Sequence, residues 1–169
     1  MKKLYVFVLM FAALSFSQQH RLFWDGGDWK RLTKKARNQP DIEFQLKAAY
    51  INGVMDGRLY DYLKLWSVES SLADSLFDEM PDYLSTREMV KAVDHFYEDP
   101  YNLTIPVPSA VIIASMYAHQ IPLATIDDYI KQCRFWINNL YFQMEQEGPA
   151  AILEEKIKKY DKRKQQNQD

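Results

Sequence analysis

The chain has 169 residues, of which 47% are hydrophobic and 26% charged, and its formal net charge is −2. That is enough apolar material for one domain with its own core. The lack of a basic excess argues against a general binder of nucleic acid or anionic membranes, and neither a GxxxxGK nor a GxGxxG motif supports nucleotide chemistry.

At the N-terminus, Lys2 and Lys3 precede an apolar run from Leu4 to Leu14, and Ser15-Phe16-Ser17 places small residues where signal peptidase needs them. This is the pattern of a secretory signal peptide over 1–17, with the periplasm or the exterior as destination. The apolar run of 11 residues is shorter than the roughly 20 needed to cross a bilayer, so no stable membrane insertion is expected once it is removed. Without Lys2 and Lys3, 19 basic residues face 23 acidic ones, a net charge of −4. The one cysteine, Cys133, permits no internal disulfide, so an exported chain of this kind depends on its core. A single domain is expected over 18–161, followed by a frayed polar tail over 162–169.

The first predicted helix spans 29–37, capped by Asp28 and basic on its surface (Lys30, Arg31, Lys34, Lys35, Arg37). Asp25-Gly26-Gly27-Asp28 suits a turn and cap better than a calcium loop, which needs six or more oxygens and the alternating acids of an EF-hand. Pro40 then opens a long helix to about residue 66, with Asp41 and Glu43 in the first turn, where the helix dipole favours acids.

At about 100° per residue, this helix carries two apolar arcs. Phe44, Ala48, Ile51, Met55, Leu59, Tyr62 and Trp66 form one. Ile42, Leu46, Ala49, Tyr50, Gly53, Gly57 and Tyr60 form the other, and Glu43, Lys47, Arg58 and Asp61 take the remaining outward arc. Gln45, Asn52 and Asp56 fall between the apolar arcs and are expected to point inward. With Asp99 and Asn102 from a later turn they make the candidate ligand site, or else a satisfied buried network, since an unpaired buried carboxylate costs several kcal/mol. Gly53 and Gly57 each cost about 1 kcal/mol against alanine inside a helix, a cost that close approach of another helix would offset. Ala110, Ala114 and Ala118 share the four-residue spacing, and the two small-residue surfaces are predicted to pack together.

A short amphipathic helix follows (Leu72, Leu76, Phe77, Met80), ended by Pro81. Glu69, Asp74, Asp78, Glu79 and Asp82 make this stretch acidic, either as a solvated face or as a docking surface for a basic partner. Ser85 and Glu88 form a capping box for a helix with Met89, Val90, Val93, Phe96 and Tyr97 on one face and His95 on the surface. Pro108 opens a very apolar helix over 109–120, covered by Val111, Ile112, Ile113, Met116 and Tyr117 and therefore buried. Thr125 caps the next helix, which carries Ile126, Tyr129, Ile130, Cys133, Trp136, Ile137, Leu140, Tyr141 and Met144 at helical spacing and stops at Gly148-Pro149. Phe135 and Phe142 lie on its outer face, and a last helix spans 150–162. Three scattered histidines and one cysteine do not have the spacing of a metal site, and no nucleophile motif appears. No catalytic residue, metal or cofactor is therefore assigned.

The stretch Tyr50-Ile51-Asn52-Gly53-Val54-Met55-Asp56-Gly57 resembles the Y-x-x-G-x-x-D signature of exported all-helical Rap1a/Tai-type immunity proteins. The resemblance covers about one helix, the signal peptide and the order of helices. It implies a small periplasmic protein that binds and neutralises a cell-wall-degrading effector. A later block, Phe96-Tyr97-Glu98-Asp99-Pro100-Tyr101-Asn102-Leu103-Thr104-Ile105-Pro106-Val107, resembles a signature of uncharacterised exported bacterial proteins. The expected fold is all-α, a compact bundle of five to six helices around the long helix. The expected function is non-enzymatic binding of another protein, with 69–82 as the leading surface. The alternative is a small-ligand binder or hydrolase built around Asn52 and Asp56.

Overall fold

The computed structural model describes residues 22–36, 39–77 and 84–166. Among these residues the chain is all-α. It has six helices and a 3-10 turn: α1 (Gly26–Lys35), α2 (Pro40–Trp66), α3 (Ser70–Phe77), α4 (Thr86–Phe96), the turn Pro100–Asn102, α5 (Val107–Ala118) and α6 (Leu123–Gln166). The expected signal sequence over 1–17 lies outside the described residues, as do Asp78, Glu79 and Asp82 of the acidic segment.

The chain divides into two compact units at Gly148. This residue breaks α6 with φ 77 and ψ 157, a left-handed backbone suited to glycine. One unit is Phe23–Gly148. Beyond Gly148 the chain is helical to Gln166.

Helix starts follow local chemistry. Asp25, not Asp28, caps α1: its carboxylate accepts from the backbone N–H groups of Gly27 and Asp28, while Asp28 reaches back to the N–H of Asp25. The helix therefore begins three residues before the predicted start. Pro40 opens α2 as expected, and Ser85 and Glu88 form the anticipated reciprocal box on α4. Here the Ser85 hydroxyl and backbone N–H both donate to Glu88, which holds its carboxyl below the usual value.

The core of the Phe23–Gly148 unit centres on α4 and α5. Met89, Val90, Val93 and Phe96 point inward from α4, as their spacing predicts, and meet Val107, Ala110, Val111, Ile113 and Ala114 of α5. Tyr117 is the exception on α5 and is nearly half exposed. Trp29 from α1, Ile51 from α2, and Ile126 and Cys133 from α6 complete the core.

The block from Phe96 to Val107 organises this centre. Asp99 caps the 3-10 turn by accepting from the N–H of Tyr101 (2.9 Å). The buried Asn102 donates to the Phe96 carbonyl (2.9 Å) and accepts from Arg134 (2.7 Å). Tyr97 is fully enclosed and donates to the Ile105 carbonyl (2.8 Å), and burial raises its hydroxyl pKa well above the ordinary value. The lead-in chain pairs with the same block through Gly26 N–H to Leu103 O (3.0 Å) and Val107 N–H to Trp24 O (2.8 Å). At Gly26 the approach is so close that an added Cβ would lie 2.5 Å from the Tyr97 ring.

Candidate functional site: the outer face of α2

The orientation of α2 is decided by one lysine. Lys47 is 1% exposed, although its charge had placed it on the outward arc. Its ammonium donates to Asp94 Oδ1 (2.6 Å), Glu43 Oε1 (2.7 Å) and Thr33 Oγ1 (2.8 Å) and sits 5.2 Å from the centre of the Trp29 ring. Trp29 Nε1 donates to the same oxygen of Asp94 (2.7 Å), and the Thr33 hydroxyl donates to Glu43 (2.7 Å). Every donor of the lysine is thereby used, which is the condition for burying an ammonium group. The cluster ties α1, α2 and α4 together. The hydrogen bond from Lys47 is the main reason the Glu43 carboxyl lies below its ordinary pKa.

With Lys47 and Ile51 inward, the opposite side of α2 faces out. Gln45, Asn52 and Asp56 are exposed, so the expected inward polar line is corrected: it runs along the outside of the helix. Asn52 makes one cross-helix contact, accepting from Thr86 Oγ1 (3.3 Å) at the start of α4. The later turn does not join this line. Asp99 is exposed and serves as a cap, while Asn102 is the one member of the candidate set that belongs to a buried network, with Phe96 and Arg134.

The glycine prediction is also corrected. Apart from the adjoining residues and the helix's own backbone, no heavy atom among the described residues lies within 4 Å of a Cβ built on Gly53 or Gly57. Ala110 and Ala114 are buried in the core, Ala118 is half-buried, and the small-residue surfaces do not meet. The second apolar arc is therefore the exposed one. Ile42 and Leu46 lie open at its N-terminal end. Tyr60 is more than half exposed at its other end, and Leu59 and Trp66 of the first arc and Leu63 are exposed beside it. Trp24, partly exposed, stacks on Tyr50 beside this face, with ring centres 4.7 Å apart. Exposed apolar side chains grouped on one face of a folded domain mark an interaction surface more often than isolated ones do. Past the end of α2, Glu69 and Asp74 are exposed, and Asp74 accepts from the Tyr62 hydroxyl (3.0 Å).

Sequence reasoning missed Lys47, Asp94 and Gly26. A lysine on a mostly apolar helix is assigned to solvent by default, and only its i,i+4 relation to Glu43 hinted otherwise. Gly26 was hidden in a turn-like Gly-Gly pair. No family model, curated protein or solved structure matches the chain. Among the described residues no helix is long and apolar enough to cross a membrane.

Proposed function

We propose that this is an exported, non-enzymatic binding protein whose partner is another polypeptide, received on the outer face of α2. The observation that supports this reading is the exposed apolar strip from Ile42 to Leu63, on a helix whose opposite side is fastened by a buried lysine. The leading surface thus shifts from the acidic segment alone to α2, with Glu69 and Asp74 as its continuation. A small-ligand or hydrolase site needs a concavity with converging polar groups. Gln45, Asn52 and Asp56 lie along the convex outside of a helix, which favours the polypeptide reading.

The test is photo-crosslinking in cells that export the full chain. A benzoylphenylalanine replacing Leu46 or Tyr60 should give a discrete higher-mass adduct, and one replacing His95, exposed on α4, should give none. Absence of adducts at the two α2 positions, or equal adducts at all three, would remove the reading. The exported chain should begin at Gln18 by mass spectrometry.

A further inference from the structure

The outer face of α2 has a charge as well as an apolar strip. Its exposed ionisable side chains are Asp41 and Asp56 against Lys64, because Lys47 is buried, Glu43 and Arg58 are half-covered and Asp61 shares the arc of Lys47. The exposed Glu69 and Asp74 extend the same sign beyond the helix end. Ile42, Leu46, Tyr60 and Leu63 supply large apolar anchors over a length of about 30 Å, given the rise of a helix. Between these anchors Gly53 and Gly57 leave a low saddle with open space above it. A second helix laid across the saddle could approach more closely than the usual ~8–10 Å between axes.

This inference rests on the reading of α2 as a protein-docking face. We infer that its occupant is a basic amphipathic helix of a partner protein. Its apolar side would fill the saddle between Leu46 and Tyr60, and its lysines or arginines would reach the acids along the rim. Complementary charge of this kind steers association and sets register. The same charge disfavours the other candidates. A second copy of the chain paired about a two-fold axis through the saddle would place Asp56 against Asp56. An anionic lipid surface would repel Asp41, Asp56, Glu69 and Asp74.

The experiment uses the full exported chain and two synthetic 18-residue helical peptides with the same Leu/Ala face. One carries lysine on its polar side and the other glutamate, and binding is followed by fluorescence anisotropy. The lysine peptide should bind at least tenfold more tightly. Its affinity should fall as salt is raised and should be weakened by Asp56→Lys, and it should be lost in Gly53→Trp. Space is open above Gly53, so Gly53→Trp should melt no lower than the parent chain. Equal binding of the two peptides, no binding of the lysine peptide, or undiminished binding by Gly53→Trp overturns the basic-helix occupant. The crosslinking result separates this failure from failure of the docking reading itself. An adduct of unrelated mass at Tyr60 with no preference for the lysine peptide leaves the docking face and removes the basic helix. An adduct at twice the chain mass identifies a second copy as the occupant and also overturns the inference.

Discussion

The Lys47 cluster is asymmetric. The lysine side chain is 2% exposed, while those of Glu43 and Asp94 are 22% and 42% exposed. Removing the lysine leaves two carboxylates that can take up water. Removing Asp94 leaves a buried ammonium short of a partner and the Trp29 indole N–H without its acceptor. Asp94→Ala should therefore cost about 3 kcal/mol and Lys47→Met less, about 1–2 kcal/mol, in urea titrations, because a stranded buried charge is the larger penalty. A pH dependence follows. Glu43 has a depressed pKa in the folded protein, so its contribution is complete above the ordinary value of 4.5 and drains as pH falls through the lowered one. Acid unfolding should be shallower in Lys47→Met, because the main cause of the depression is gone.

Three glycines test the local geometry with opposite signs. Gly26→Ala drives a methyl group into the Tyr97 ring and the Leu103 backbone, and overpacking of that kind costs about 1–3 kcal/mol. Gly53→Ala and Gly57→Ala meet nothing and remove a backbone-entropy penalty, so each should stabilise by about 0.5–1 kcal/mol. For a domain of this size that is a rise in Tm of roughly 2–5 °C per kcal/mol. A fall in Tm for both would show that the saddle is already filled in the folded chain.

At the scale of elements, the helices divide by how much their own pattern constrains them. α4 has a capping box and a single apolar face, and both appear as read. α5 is apolar nearly all round, and burial was the only outcome its sequence allowed. α2 is different. Its apolar residues occupy two arcs with charged residues between, so hydrophobicity is balanced around the axis and does not choose a side. The choice comes from Trp29, Thr33 and Asp94, which lie on other helices and prefer Lys47. Once that side turns in, the glycines and the polar line must turn out. α2 thus presents an apolar face that the rest of the Phe23–Gly148 unit does not need for its core, and the partner-binding expectations above belong to this element.

At the scale of the whole molecule, a chain with one thiol cannot rely on disulfide crosslinks within itself. Cys133 is buried on the core side of α6, and that burial pushes its thiol pKa up. It should react with a thiol reagent only after unfolding, and Tm should be the same with and without reductant. Fast labelling of the native chain would show that α6 opens from the core.

The sequence by itself determined the all-α class, most of the helix boundaries, the inward residues of α4 and α5, and the expectation of export. These depend on interactions a few residues long: caps, prolines and single-faced periodicity. It also singled out Tyr50 to Gly57 as unusual, and that stretch does lie on the candidate site. Only the tertiary structure decided which way it faces. The physical reason is that a helix with two apolar arcs is oriented by its best polar contact, and Lys47 finds that contact in Asp94, 47 residues away along the chain.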